Sequence, residues 1–205
     1  MPRGRGRPPI ADDAGRVADA LVETFWRKGY AGTSIADIAA ASATARASIY
    51  KLYGDKPSQL AVAVRRYAER FDARVDEILA DTADPVEAVR RSLEASVARL
   101  SDPSQPPGCL RCRATMEVGG GMPVVDDALA AAHASFEAGM VRLLAAGDRA
   151  EPAQAAALAR FVTAGVNGLV TMAEAGASRT DLEAVAGEIL DHVARRLADG
   201  AVSPA

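Results

Sequence analysis

The sequence is poor in aromatic residues, cysteine and histidine. Phe, Trp and Tyr make up 4% of its 205 residues, while hydrophobic residues together reach 49%. A core must therefore be built from Ala, Val, Leu and Ile, which suits closely packed helices. Two cysteines, Cys109 and Cys112, are too few for a disulfide framework. The two histidines, His133 and His192, stand at no ligand spacing from the cysteines, so no metal site is expected. The longest nearly uncharged run, Phe161 to Met172, is too short to cross a bilayer as one helix. The basic N-terminus has no apolar segment behind it and does not read as a secretory signal. A cytoplasmic protein without membrane association is the expectation. No Ser-His-Asp set, phosphate loop or paired-carboxylate signature stands out, so neither an enzyme nor a cofactor is expected.

Charge is unevenly spread. Residues 1–70 hold 12 Lys/Arg against 7 Asp/Glu, and residues 71–205 hold 12 against 20. A basic front and an acidic rear point to a polyanionic partner for the front alone.

Periodicity predicts an all-α chain of about nine helices, with no strand pattern and no internal repeat. Residues 1–10 read as a flexible basic arm of Gly, Pro and Arg. Val17, Leu21 and Phe25 define a helical stripe from Ala14 to Lys28, ended by Gly29. Ser34 and Asp37 form a capping-box-like pair for a second helix that buries Ile35, Ile38 and Ala39. A tight turn at Ser42-Ala43-Thr44 leads to a third helix, Ala45 to Leu52, with Ile49 and Tyr53 facing inward. Asp55 caps a long fourth helix to about Ala80, and Asp84-Pro85 opens a fifth. After a Pro-rich loop, helices are expected over Cys109–Val118, Val124–Ala146, from Pro152 to about Ala175, and from Thr180 or Asp181 to Asp199. The organisation is read as the arm, a helix-turn-helix domain over 11–55, and a helical domain over 56–200, for which dimerisation is expected and to which the family resemblance described below adds effector binding.

The three short helices are what a reader of duplex DNA needs. The major groove admits one helix, which a small rigid scaffold must hold out. Within this layout the run Phe25-Trp26-Arg27-Lys28-Gly29-Tyr30-Ala31-Gly32-Thr33-Ser34-Ile35-Ala36-Asp37-Ile38-Ala39 resembles the TetR-family pattern. Ser48-Ile49-Tyr50-Lys51-Leu52-Tyr53-Gly54-Asp55-Lys56 is similar to that family's reading helix and the Gly-Ser-Lys segment behind it. The resemblance covers residues 14–66. Ala43 departs from the family's usual turn glycine and Ala45 from its usual serine cap, a role Thr44 can assume.

The resemblance implies a transcriptional regulator, most readily a repressor on a pseudo-palindromic double-stranded operator. It implies that Ser34, Tyr50 and Lys56 hold phosphates. It places Thr44, Arg46, Ala47 and Lys51 at base edges or nearby phosphates, with Arg46 suited to guanine. Tyr50 packing only on the scaffold, and Lys51 merely solvated, are the plainer readings. Arg5-Gly6-Arg7-Pro8, with Arg3, looks like a minor-groove peptide, or else a tail with only nonspecific phosphate attraction.

In the rear domain Leu158, Val162, Gly165 and Leu169 recur on one helical stripe, and Leu182, Val185, Ile189 and Val193 on another. They are expected to form a four-helix homodimer interface, the plainer reading being that they close the monomer's own core. The resemblance also implies an effector pocket among the middle helices. Phe71, Cys109, Met116, Phe136, Met140, Phe161 and Asn167 are the candidates, though large apolar residues more often belong to the core. Cys109-Leu110-Arg111-Cys112 reads as a small buried hydrophobe with its neighbours, or as a redox or electrophile sensor aided by Arg111 and Arg113. Gly108-Cys109-Leu110 is similar to a segment of a TetR subset. The expected effector is therefore a small molecule or a thiol-reactive compound. An architectural DNA-binding protein and a small thiol oxidoreductase are the competing functions.

Overall fold

The computed structural model describes the backbone of residues 10–148 and 150–200. Arg3, Arg5 and Arg7 lie outside the described residues. Among those described, the secondary structure is entirely helical: α1 (Ile10–Gly32), α2 (Ile35–Ser42), α3 (Arg46–Tyr53), α4 (Lys56–Asp81), α5 (Pro85–Leu100), α6 (Leu110–Val118), α7 (Pro123–Leu144), α8 (Pro152–Glu174) and α9 (Arg179–Gly200). A one-turn 3₁₀ segment at Ala146–Asp148, which the periodicity did not anticipate, links α7 toward α8.

The local signals act as their chemistry predicts. Ser34 and Asp37 close a reciprocal capping box on α2. Asp55 accepts from the Ser58 N–H to start α4, and Asp84 accepts from Val86 and Glu87 N–H ahead of Pro85 to start α5. Gly29 interrupts α1 at φ 69°, ψ 178°, a conformation essentially reserved for glycine. One cap expectation needs correction. α3 starts at Ala45 without a side-chain cap, and the Thr44 hydroxyl donates to the Ser42 carbonyl at 3.1 Å instead.

Two apolar clusters organise the molecule. In the first, Val17, Leu21, Phe25 and Trp26 of α1 meet Ile38, Ile49, and Leu60, Ala61 and Val64 of α4. That cluster continues into Leu110 and Ala114 of α6 and Val125, Ala128 and Leu129 of α7, so it spans the boundary drawn at residues 55/56. The second cluster joins α4, α5, α7, α8 and α9 around Val75, Val89, Leu93, Met140, Leu143 and Leu158. α8 is long and apolar enough, by length and composition, to cross a membrane, longer than the uncharged run within it suggested. Its apolar stripe is instead buried against α7 and α9, as in the core helix of a bundle.

Candidate DNA interface and internal cavity

The helix-turn-helix is held by ties distant in sequence. Ile49 is fully buried beneath α3, the Tyr53 hydroxyl donates to the Ala14 carbonyl at 2.6 Å, and Arg16 Nε donates to the Ser42 carbonyl at 2.9 Å. The buried Ser42 hydroxyl returns to the Ile38 carbonyl at 2.7 Å. With its inner face fixed in this way, α3 turns Arg46, Ala47, Tyr50 and Lys51 to solvent. Tyr50 is 51% exposed, which a ring packed only on the scaffold would not be.

The flanking candidates are more committed. The Ser34 hydroxyl and backbone N–H both donate to Asp37 Oδ2, at 2.7 and 2.9 Å, and Lys28 Nζ lies 2.6 Å from Asp37 Oδ1. The Lys28 ammonium, followed by the Ser34 hydroxyl and N–H, holds the Asp37 carboxyl well below the usual range. Lys56 Nζ sits 4.6 Å from the Tyr30 ring centroid, half-buried. Thr44 is half-buried in the turn.

A cavity of about 460 Å³ lies between α1, α4, α5, α6, α7 and α8. Its size falls in the range of small-molecule sites, roughly 300–1,000 Å³. Phe71, Cys109, Phe136 and Asn167 line it, the two rings tilted with centroids 4.3 Å apart. Three other candidates do not reach it. Met116 is 87% exposed because it projects from the outer face of α6. Met140 is sealed in the second core cluster. Phe161 is on the surface of α8 against the His192 ring. The sequence reading missed Trp26, Tyr67, Arg99 and Arg111 as wall residues. Only the last carried a signal, through its position inside Cys-x-x-Cys.

The two thiols are free and unequal. Cys109 is buried and accepts from the Tyr67 hydroxyl at 3.5 Å, while the Cys112 thiol donates to Asn167 Oδ1 at 3.5 Å. Hydrogen bonding from Cys112 pulls the Cys109 pKa down against the opposing effect of burial, with smaller help from Arg111 and Tyr67. Cys112, interacting with the Cys109 sulfur and largely buried, is pushed up, and burial pushes Tyr67 up. Cys109 is the member of the pair that ionises first.

The α8 and α9 stripes expected to face a partner are turned inward. Leu158, Val162, Leu169, Leu182, Ile189 and Val193 are buried in the chain's own second cluster, with Val185 packed at its edge. Gly165 lies under Ile189, whose Cδ1 would stand 2.5 Å from an added Cβ. The most apolar stripe of each helix is consumed by α5 and α7. The exposed residues include a strip of small residues with one ring, Ala157, Phe161, Ala164 and Gly168 on α8 and Ala184 and Gly187 on α9, flanked by charged residues such as Arg160, Glu183, Glu188 and Asp191.

A helix-turn-helix with an exposed second helix, carried on a helical body with a cavity between its helices, defines a DNA-binding transcriptional regulator. Residues 17–63 match the family described as bacterial regulatory proteins, tetR family, and residues 85–190 match the tetracyclin repressor-like C-terminal domain. The chain belongs to the TetR family. It is 26% identical over 194 residues to the HTH-type transcriptional repressor ComR of Escherichia coli, covering 92% of this chain and 91% of that protein. A TetR-family regulator from Agrobacterium tumefaciens shares the fold at a TM-score of 0.76 and 21% identity, covering 90% of this chain and 98% of that one. A cysteine-substituted form of the regulator CifR, solved with 26-base-pair double-strand operator DNA, aligns at a TM-score of 0.72 and 26% identity, covering 93% and 98%.

Proposed function

We propose that this regulator is a cytoplasmic repressor that binds a pseudo-palindromic operator as a homodimer and leaves it when an effector enters the cavity. The observation that carries the reading is the α3 surface, where Arg46, Ala47, Tyr50 and Lys51 stand together in solvent above a buried Ile49. Arg46 and Lys51 meet base edges or adjacent phosphates, and Tyr50 holds a phosphate. Ser34, Thr44 and Lys56 flank the same groove, where Lys56 exchanges its ring contact for a phosphate oxygen. Arg3, Arg5 and Arg7 extend the contact into the neighbouring minor groove. The repressor and operator complexes among its relatives support this reading.

The link between cavity and DNA is α6. One side of this helix carries Arg111, a cavity wall residue, and the other carries Arg113 and Glu117 against the end of α1. An effector, either a small molecule or a thiol-reactive compound at Cys109, then favours an α6 position in which the two α3 helices no longer match successive grooves. This requires different affinities for the two states.

The test is fluorescence anisotropy on inverted repeats taken from the DNA flanking the coding region. Saturable binding with two chains per site, resistant to excess random duplex, is expected. Binding that random duplex abolishes at equal mass would overturn the proposal in favour of an architectural DNA protein.

A further inference from the structure

Among the described residues, Arg111 is the only buried charged side chain, at 4% exposure. Its hydrogen-bond and ring contacts are to an amide, an imidazole and a phenyl ring. Nη2 donates to Asn167 Oδ1 at 2.9 Å, Nη1 meets His133 Nδ1, and the guanidinium carbon lies 4.7 Å from the Phe136 ring centroid. Burial, and then the Arg111 charge, lower the His133 pKa. No carboxylate comes within ion-pair distance of Arg111 among the described residues, whereas Arg66, Arg70, Arg90, Arg91 and Arg113 each have one. A buried charge without a counter-charge is unfavourable unless something answers it. An arginine carries five N–H donors, and these contacts commit two.

The rest of the wall has the same sign. Arg99 donates to the Gly108 carbonyl at 2.7 Å and lies over the Trp26 ring, again without a carboxylate. Arg74 also lines the cavity, and Arg70 does so while paired to Asp19 and Glu23 outside it. Asp102 is the one carboxylate on the wall, and it accepts from the Ser104 N–H. The remaining surface is largely aromatic and aliphatic, with Trp26, Tyr67, Phe71 and Phe136. The Cys109 sulfur shares this wall and feels the Arg111 charge, so its thiolate is the internal group an incoming anion would have to compete with at that guanidinium.

We infer that the effector is a small organic anion, a carboxylate on an aromatic or short aliphatic body, with its charge at Arg111 and its body on the Phe71–Phe136 pair. An Arg-carboxylate pair shielded from water has the geometry and the charge-assisted hydrogen bonds to select for the anion. This rests on the reading of the cavity as the effector site of a repressor.

The experiment uses the full-length protein and three acid–amide pairs: phenylacetate with phenylacetamide, 1-naphthylacetate with its amide, and octanoate with octanamide. Calorimetry reads binding, and operator anisotropy reads release. At least one carboxylate is expected to bind tenfold or more tightly than its amide. Arg111→Gln is expected to remove that preference and Arg99→Gln to reduce it. Met116→Gln, on the outer face of α6 and away from the cavity, is expected to retain it. A panel in which no acid outbinds its amide tenfold overturns the inference without needing any variant to fold. A preference that survives in folded Arg111→Gln also overturns it. Amides that bind and release operator as well as the acids defeat the anion and leave the repressor standing. Acids that bind selectively without releasing operator support the anion and defeat the effector reading.

Discussion

Glu117 on α6 accepts the backbone N–H of Tyr30 through Oε2 at 2.5 Å, a contact across 87 residues that fastens α6 to the end of α1. Gly29 lies directly beneath the same carboxylate, where an added Cβ would stand 2.2 Å from Glu117 Oε1. Gly29→Ala therefore meets two obstacles, the clash and a backbone conformation that costs ~1–3 kcal/mol for other residues. A total loss of roughly 2–4 kcal/mol in urea unfolding is expected. Glu117→Ala relieves the clash but also gives up the bonds to the Tyr30 N–H and Arg113, so the double variant should lose less than the sum of the two single losses, a non-additivity typical of touching residues. Strict additivity of the two losses refutes the contact.

The α3 surface predicts two different DNA phenotypes. With Lys51 on a phosphate rather than a base edge, Lys51→Ala weakens all sites alike and lowers the salt slope by about one per contact, about two per dimer. Arg46→Ala costs ~1–3 kcal/mol and relaxes preference at one symmetric operator position. Anisotropy over a salt series, with single-base operator variants, separates them. Identical losses at every base and every salt concentration for both variants contradict this assignment.

Ala43 is the one non-glycine residue with positive φ among the described residues, at φ 49°, ψ 37°, and it ends α2. A side chain costs roughly 1–2 kcal/mol in this region, while glycine pays about 0.5–1 kcal/mol in chain entropy. Ala43→Gly should therefore stabilise the protein by a few tenths to about 1 kcal/mol. Differential scanning calorimetry reads this as a small rise in Tm, and a fall would show that the turn relaxes away from the left-handed form.

What the sequence made legible was local. Ser34 with Asp37, Asp55, and Asp84 before Pro85 satisfy helix ends a few residues away, so their role follows from spacing alone. The direction of a helical stripe is a different question. Leu158, Val162 and Leu169 are apolar whether the opposing surface is α7 or another chain, and periodicity is blind to which. Arg111 was read only as a helper to the cysteines because arginine is normally solvated, and its burial arises from Asn167 and His133, 56 and 22 positions away. Glu117 and Tyr30 offered no pattern for the same reason.

Alkylation of the cysteines should follow their unequal acidity. Cys109 is depressed below its usual value of 9.0 and Cys112 is raised above it. The Cys109 thiolate therefore contributes stability above the unfolded pKa, and that contribution is lost as pH falls through the lower folded value. The Cys112 thiol contributes in the opposite sense, fully below 9.0 and lost as pH rises through its raised folded value. Because Cys109 is buried and Cys112 only half-buried, the readout is the pH midpoint of each alkylation by iodoacetamide in peptide mass spectrometry, not its order, and the Cys109 midpoint should lie below that of a free thiol. Cys112→Ala withdraws the main hydrogen-bond donor and should move that midpoint up. An unchanged midpoint in that variant removes Cys112 as the cause.

The dimer prediction turns on which faces of α8 and α9 are spent. Burial of Leu169 and Val193 in the chain's own core leaves the small-residue face as the surface where two copies can approach closely. Gly168 and Gly187 have open space where a Cβ would go, so the monomer gives no packing reason against a larger side chain at either. Gly168→Arg should leave helicity and melting of the folded chain nearly intact but place a charge and a long side chain between partners. Light scattering should then show monomers, and operator affinity should fall more than tenfold, since each chain reads one half-site alone. Leu169→Arg, one residue on, should instead unfold the monomer, because it puts an unpaired charge into the core. A Gly168→Arg protein that remains dimeric at micromolar concentration places the interface elsewhere, and the exposed face of α8 would then need another occupant.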